Sequence, residues 1–189
     1  MENLLSTLLS ICIGIALSAA CGFRVFMPLL IMSIASLAGH LTLSPGFAWI
    51  GTYPALTAFA VAAFLEILGY FIPWVDNLLD AIATPAAIIA GTIATASSVS
   101  GMSPLLTWTL AVIAGGGAAG TIQGFTVLSR GASSLTTGGL ANSVVATVEA
   151  GSSVTLSTLA ITVPVLAAIV VFVLLYLATK TIFKKLRKR

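Results

Sequence analysis

Charged side chains are scarce in this sequence: Asp, Glu, Lys and Arg together make up 7% of its 189 residues, whereas hydrophobic residues make up 59%. Soluble domains carry about 25% charged residues, so this composition, with a mean hydropathy of +1.15, excludes that class. A membrane-spanning helix needs ~20 apolar residues, and the chain has room for about six. Because its apolar runs are rich in Leu, Ile and Ala and lack strict alternation, they predict an all-α transmembrane bundle rather than a barrel.

Groups that perform chemistry are also rare. The chain has one histidine, His40, and two cysteines, Cys12 and Cys21, which both fall in the first apolar run. Their spacing matches no metal site and no Cys-x-x-Cys motif, and the sequence contains no Ser/His/Asp arrangement. We therefore expect buried apolar thiols, no metal, no cofactor and no enzymatic activity. Paired carboxylates are the one catalytic arrangement that the sequence leaves open.

Basic residues are concentrated at the end of the chain. Six of the eight lie in the last ten positions, and the net charge is +3. A basic cluster directly after a long apolar segment is typical of a cytoplasmic tail that contacts anionic lipids, and this interpretation is favoured over nucleic-acid binding. The sequence thus predicts a multi-pass protein in contact with the lipid bilayer, with a cytoplasmic tail at 180–189 and no nucleic-acid partner.

The apolar runs divide a single domain, 1–189, into six predicted helices. Helix 1 is long, at 4–37, and we expect Gly22 and Pro28 to break it because proline removes a hydrogen-bond donor. We prefer one broken helix. In the alternative, residues 22–38 form a separate re-entrant or spanning piece. The other predicted helices are 54–71, 75–99, 105–128, 140–150 and 155–181.

Two short patterns occur twice and in the same order, which indicates an internal repeat: Gly-Phe-x-Val at 22–25 and 124–127, and an apolar stretch ending in Glu at 61–66 and 144–149. Halves 1–100 and 104–183 would then each hold three helices, and an odd number makes the halves inverted. Inverted repeats with broken helices are typical of secondary transporters, whose sites lie at the repeat interface. With the basic tail inside, six spans place the N-terminus inside and Arg130 on a cytoplasmic loop. In the alternative, helix 5 only enters the membrane without crossing it, and the N-terminus lies outside.

Apart from Glu2, every acidic residue lies in or at the edge of a predicted helix, and Arg24 lies inside the first one. A charge is costly in lipid and is usually retained because it pairs or functions. Arg24 either forms a structural pair with a carboxylate such as Glu66, or joins the amides freed by the helix break to bind a phosphate or carboxylate head group. The predicted substrate or ion site comprises these residues: Arg24, Glu66, Asp76, Asp80, Asn142 and Glu149.

The acidic residues have different predicted roles. Asp76 is the expected N-cap of helix 3. Asp80, one helical turn later on the same face, is hard to explain as a cap and is therefore the better functional candidate of the two. Glu66 and Glu149 are equivalent under the repeat and are the candidates for a protonation switch.

Predicted helix 4 carries glycines at four-residue spacing: Gly116, Gly120 and Gly124. Small residues at this spacing let another helix approach closely, so they predict a helix-packing face. A substrate path along the same face is the alternative. A second copy of the chain packed on this face would make the protein a homodimer. Two copies together would also help to enclose a substrate path, which a chain this small often cannot do alone.

Three segments resemble a known family: 20–30, which contains Gly-Phe-Arg-Val-Phe-Met-Pro-Leu; 73–80, with the pattern Pro-x-Val-Asp-x-Leu-Leu-Asp; and 139–149, with Gly-Leu-x-Asn-x-Val-Val-x-Thr-x-Glu. Over nearly its whole length the chain resembles small bacterial integral membrane proteins catalogued only as a domain of unknown function. The resemblance implies a bacterial inner membrane but supplies no activity. Many relatives have Asn-Pro where this chain has Asn142 and Ser143, which leaves open how sharply helix 5 begins.

The leading hypothesis is a secondary transporter or flippase-like carrier for an anionic small solute or lipid head group, with a polar site at the repeat interface. The alternative is a non-transporting membrane scaffold or accessory subunit that binds a partner through the glycine face of helix 4.

Overall fold

A computed structural model describes residues 2–138 and 140–186, apart from the side chains of residues 2, 3, 73, 74, 76, 77, 185 and 186. Every regular element in these ranges is helical, which confirms the predicted all-α class. The elements in chain order are α1 (Glu2–Cys21), α2 (Phe26–Leu37), a 3₁₀ helix (Pro45–Gly51), α3 (Tyr53–Gly69), α4 (Pro73–Ser98), α5 (Pro104–Leu110), a π-helical segment (Ala111–Gly116), α6 (Gly117–Thr137), α7 (Asn142–Thr162) and α8 (Pro164–Leu186).

Five of the described helical stretches are long and apolar enough to cross a membrane: Leu4–Cys21, Leu78–Ser98, Pro104–Thr137, Asn142–Thr162 and Pro164–Lys184. The third joins α5, the π-helical segment and α6 into one stretch of 34 residues. The 3₁₀ helix and α3, which meet at a bend of 65°, would together supply a sixth span. These lengths and compositions are those of a multi-pass membrane protein.

The chain reverses direction between α1 and α2. Ser10 in α1 accepts a hydrogen bond from the backbone amide of Ser100, and the amide of Ser44, beyond α2, donates to the carbonyl of Ser97. Residues 10 and 44 therefore both lie at the C-terminal end of α4, so α2 leads back to the end of the bundle from which α1 starts. Our preference for one broken helix was wrong, and the alternative of a separate piece is confirmed.

Two residues set this reversal. Gly22 directly follows α1, and a Cβ atom placed on it would lie 2.5 Å from the carbonyl oxygen of Ala119, so only glycine lets α1 approach α6 so closely here. Pro28 does not sit at the break itself. It lies in the first turn of α2, where its missing amide hydrogen costs no helical hydrogen bond.

The reversal changes the predicted placement of the termini. α1 runs antiparallel to α4, because Ser10 and Ser18 contact residues 100 and 91 respectively. α7 is antiparallel to α1 and α8 packs back along α7 after a single connecting residue, so α8 runs parallel to α1. Residues 2 and 186 consequently lie at opposite ends of the bundle. The prediction that both termini share one side was wrong.

The boundary between the last two predicted helices was also wrong. α7 continues from Asn142 to Thr162 and is long enough to span, whereas the prediction ended that helix at 150. The small residues at 151–153 are typical of a turn, but Ser153 is buried and its hydroxyl donates a hydrogen bond to the carbonyl of Ala20. Its small side chain therefore lets α7 pack against α1. Pro164 does not kink a helix but begins α8.

Two further boundaries differ from the prediction. α6 continues to Thr137, so the segment expected to be a loop at 130–139 is mostly helical. α4 begins at Pro73 with Ile72 as its N-cap, so Asp76 is not the cap. The side chain of Asp76 lies outside the described part of the chain.

The closest helix packing joins α1, α4 and α6. A Cβ atom on Gly91 would lie 2.6 Å from the Cβ of Ala119, and one on Gly14 would lie 3.0 Å from the Cα of Thr95. The hydroxyl of Ser18 hydrogen-bonds across the same contact to Gly91 and Thr95. We call this contact the small-residue interface. Its residues are Gly14, Ser18, Gly22, Gly91, Thr95, Gly115 and Ala119.

The predicted glycine face borders this interface and is covered within the chain. Cβ atoms on Gly116 and Gly120 would lie 3.3 and 3.1 Å from Ile88 of α4, and one on Gly124 would lie 3.9 Å from Ile182 of α8.

The predicted internal repeat is not apparent in the arrangement of the helices. Residues 22–25 form a break, whereas the matching residues 124–127 lie inside the unbroken α6. The repeat stays a prediction.

Candidate functional site

Arg24 lies in the break between α1 and α2 and is only 2% exposed. Its Nη2 atom donates a hydrogen bond of 2.8 Å to the carbonyl oxygen of Ala146 and lies 3.4 Å from Oε2 of Glu149. Its Nε and Nη1 atoms are buried and have no hydrogen-bond partner among the described residues. Arginine stays charged in proteins, so this guanidinium holds donors that another group could satisfy.

Glu66 binds the start of α2. Its carboxylate oxygens accept hydrogen bonds from the backbone amides of Val25 at 2.8 Å and Phe26 at 3.1 Å. These amides lack partners within the helix, and the N-terminus of a helix carries partial positive charge, so an anionic side chain is stabilised there. Among the described residues Arg24 forms its ion pair with Glu149, whereas Glu66, the example that we gave for a structural partner, binds backbone amides.

Arg130 is the main residue that the sequence analysis placed wrongly. Instead of lying on a loop, it is 2% exposed within α6, because that helix continues past it. Its Nε atom donates to Oε1 of Glu149 at 3.1 Å, its Nη2 atom binds Oε2, and its Nη1 atom lies 3.5 Å from Oδ1 of Asp80. One signal was available: Arg24 and Arg130 are the only Lys or Arg residues before position 180.

Tyr70 joins the two arginines. The Cζ atoms of Arg24 and Arg130 lie over its ring at 3.9 and 3.8 Å from the centroid. Two guanidinium groups this close cannot share one face of a ring, so the ring lies between them. Aromatic faces attract cations, and this arrangement also separates two like charges. From the sequence we did not identify Tyr70 as part of the site.

These residues form one buried group, which we call the arginine–carboxylate cluster: Arg24, Glu66, Tyr70, Asp80, Arg130 and Glu149. Its ionisable members other than tyrosine are two arginines and three carboxylates, so the fully ionised cluster carries a net charge of −1 among the described side chains. The side chain of Asp80 is 20% exposed and that of Glu149 5%, so water reaches the cluster most readily at Asp80. Buried charges at this density interact strongly because the local dielectric constant is low.

Of the other predicted site residues, Asn142 and the glycines have the contacts given below, and the side chain of Asp76 lies outside the described part of the chain. Asn142 is the first residue of α7, seven positions before Glu149, and its side-chain amide donates to the hydroxyl of Ser134 at 3.0 Å. Gly116, Gly120 and Gly124 face α4 and α8. Four of the six predicted substrate or ion residues are thus brought together: Arg24, Glu66, Asp80 and Glu149.

The comparisons agree with the resemblance seen in the sequence. A family described as a domain of unknown function, DUF4126, matches residues 11–184. No curated protein and no solved structure matches the chain. The family match covers every residue of the cluster, but it brings no activity with it.

Proposed function

The chain belongs to this family of unknown function, and we propose that it is a small carrier, a secondary transporter or flippase-like protein whose site is the arginine–carboxylate cluster. The proposed cargo carries an anionic group, as a small solute or as a lipid head group. The supporting observation is Arg24, a buried guanidinium in a helix break with two nitrogens that lack hydrogen-bond partners among the described residues. Buried polar groups are normally satisfied, so an exception of this kind favours a ligand that completes the site.

The charge of the cluster adds a condition to this proposal. An anion that joined a cluster of net charge −1 would increase the negative charge in a region of low dielectric constant. We therefore propose that anion binding is coupled to protonation of one carboxyl group. Asp80 is the carboxyl that water reaches most readily, so it is the proposed route for the proton.

We propose the inner membrane of a bacterium as the location, with the basic tail in the cytoplasm and anionic lipids as its partners. Gly124 of α6 lies near Ile182 of α8, so the second half of α6, which carries Arg130, lies toward the end of the bundle where α8 terminates. In this orientation the cluster lies toward the cytoplasmic side.

The scaffold hypothesis depended on a glycine face that is free to bind a partner. Gly116 and Gly120 contact Ile88 within the same chain, so a carrier is the function that we favour. A homodimer remains part of the proposal, but it would have to form through another surface.

Accessibility of the cluster from the two sides of the membrane tests the carrier proposal. Ala146 is 2% exposed, and its carbonyl oxygen accepts the hydrogen bond from Arg24. In a chain with Cys12→Ala and Cys21→Ala, an Ala146→Cys variant adds one thiol beside the cluster and removes none of its charges. A carrier that exposes its site alternately predicts labelling by a membrane-impermeant thiol reagent added from either side.

Ala160→Cys is the matched control, because Ala160 lies on the same helix, is fully buried and belongs to the apolar core. We expect this thiol to be protected from both sides. If folded Ala146→Cys protein is protected from both sides as well, or is labelled from one side alone, the cluster does not alternate and the carrier proposal fails.

A further inference from the structure

An apolar groove leads from the outside of the bundle to the arginine–carboxylate cluster. It lies between α2, α3 and α4, and its volume is about 300 Å³. Its lining is apolar except for Glu66 and Tyr70, which both belong to the cluster. Ligand pockets in proteins have volumes of ~300–1,000 Å³, so the groove is large enough for part of a ligand.

The outer part of the groove faces lipid. Leu65 of α3 and Ile82 of α4 line it and are 59% and 55% exposed. Ile82 belongs to a helical stretch that is long and apolar enough to cross a membrane, and α3 belongs to the candidate sixth span. Lipid acyl chains are therefore the molecules that surround the mouth of this groove.

The inner part of the groove ends at the cluster. The ring of Tyr70 forms part of the groove wall and also contacts the guanidinium of Arg24, 3.9 Å from its centroid. The guanidinium in contact with this ring carries the two nitrogens of Arg24 that have no hydrogen-bond partner among the described residues. A molecule in the groove would thus place an apolar tail toward the bilayer and its polar end beside Tyr70, whose ring contacts the buried guanidinium of Arg24.

We infer that the cargo is an anionic membrane phospholipid, with an acyl chain in the groove between α2, α3 and α4 and its phosphate at Arg24. This inference rests on the proposed function and narrows the cargo to lipid. For the phosphate to reach Nε and Nη1 of Arg24, the Tyr70 ring must turn away from the guanidinium. The phosphate then replaces the contact with the ring by charge-assisted hydrogen bonds, which are stronger than neutral ones.

Quenching of a tryptophan in the groove by brominated lipids tests this inference. Phe26 lines the groove, so Phe26→Trp is a conservative reporter in a chain where Trp49, Trp74 and Trp108 are replaced by phenylalanine. The protein is reconstituted in phosphatidylcholine vesicles that contain either brominated phosphatidylglycerol or brominated phosphatidylcholine. We expect about a tenfold preference for phosphatidylglycerol at this tryptophan, the size that hydrogen bonds to a charged group supply.

Three variants test whether the preference for phosphatidylglycerol arises in the groove and at Arg24. Ile169→Trp places the reporter on an exposed position of α8, where both lipids should quench equally. Arg24→Gln should remove the preference at Phe26→Trp. If that variant does not fold, Ala86→Leu serves instead, because Ala86 lines the groove and a larger side chain fills it without altering any charge.

Equal quenching by the two lipids at Phe26→Trp would overturn the inference, and so would a preference that survives Ala86→Leu. These outcomes are distinct from failure of the carrier proposal. If the preference is absent while Ala146→Cys is labelled from both sides, the protein carries something other than a phospholipid. If the preference is present while Ala146→Cys stays protected from one side, the lipid binds but is not carried.

Discussion

The small-residue interface and the arginine–carboxylate cluster hold the bundle together in opposite ways. At the small-residue interface, α1, α4 and α6 approach until added methyl groups would overlap neighbouring atoms, as at Gly22 and Gly91. At the cluster, long charged side chains connect the helices through ion pairs, and a groove of about 300 Å³ adjoins them. Close packing of small residues leaves no room for motion, whereas long side chains can exchange partners. The difference indicates that the small-residue interface is fixed, whereas the arginine–carboxylate cluster can rearrange.

Glu149→Gln should have the largest effect. Glu149 is the carboxylate that pairs with both arginines, so its neutralisation removes the ion-pair partner of Arg24 and the carboxylate that Arg130 binds through both oxygens. We expect a loss of ~3–5 kcal/mol in the free energy of unfolding, measured by denaturation in detergent. Glu66→Gln is the matched variant, because glutamine can still accept a hydrogen bond from the start of α2, and it should cost about 1–3 kcal/mol. Equal losses would contradict the different roles that we assign to the two glutamates.

Gly22→Ala tests the fixed region. Its new methyl group would lie 2.5 Å from a carbonyl oxygen of α6, so we expect a destabilisation of ~1–3 kcal/mol and a lower yield of monodisperse protein. Gly117→Ala is the control, because a Cβ placed there has no atom within 4 Å apart from its chain neighbours and the backbone of its own helix. It should be neutral or stabilising by up to ~1 kcal/mol. If both variants behave alike, the small-residue interface is looser than its distances indicate.

Lysine replacements distinguish the two arginines. Arg130 binds both oxygens of Glu149, a geometry that lysine cannot reproduce, so Arg130→Lys should cost ~2 kcal/mol. Arg24 donates one hydrogen bond to a backbone carbonyl, which lysine can reach, so Arg24→Lys should cost ~1 kcal/mol or less. Thermal unfolding of the two variants in the same detergent measures the difference. A reversed order would mean that Arg24 is the structural arginine.

Replacements of Tyr70 should have the smallest effects. Tyr70→Phe keeps the ring between the two guanidinium groups, so the midpoint of thermal unfolding should hardly change. Tyr70→Leu removes both cation–π contacts and should cost about 1 kcal/mol. If Tyr70→Phe is as damaging as Tyr70→Leu, the hydroxyl rather than the ring holds the cluster together.

Part of the site was visible in the sequence. Arg24 stands out because it is a charge in an apolar run, and the few carboxylates could be identified in the same way. Its partner could not be found, because Arg24 and Glu149 are 125 positions apart and nothing local distinguishes Glu149 from Glu66. Arg130 was missed for a local reason. Its neighbours are small and polar, as in a loop, but here they continue a helix.

The sequence by itself determined the class of the protein, its helical content and the presence of a break near Gly22, because hydropathy and backbone preferences act over a few neighbouring residues. Tertiary structure decided that the chain reverses at that break, that Glu66 holds the start of α2, and that Glu149 and Tyr70 connect two arginines. These features depend on which distant segments meet. That choice comes from packing and from the need to compensate buried charge across the whole bundle, and neither can be deduced from one segment alone.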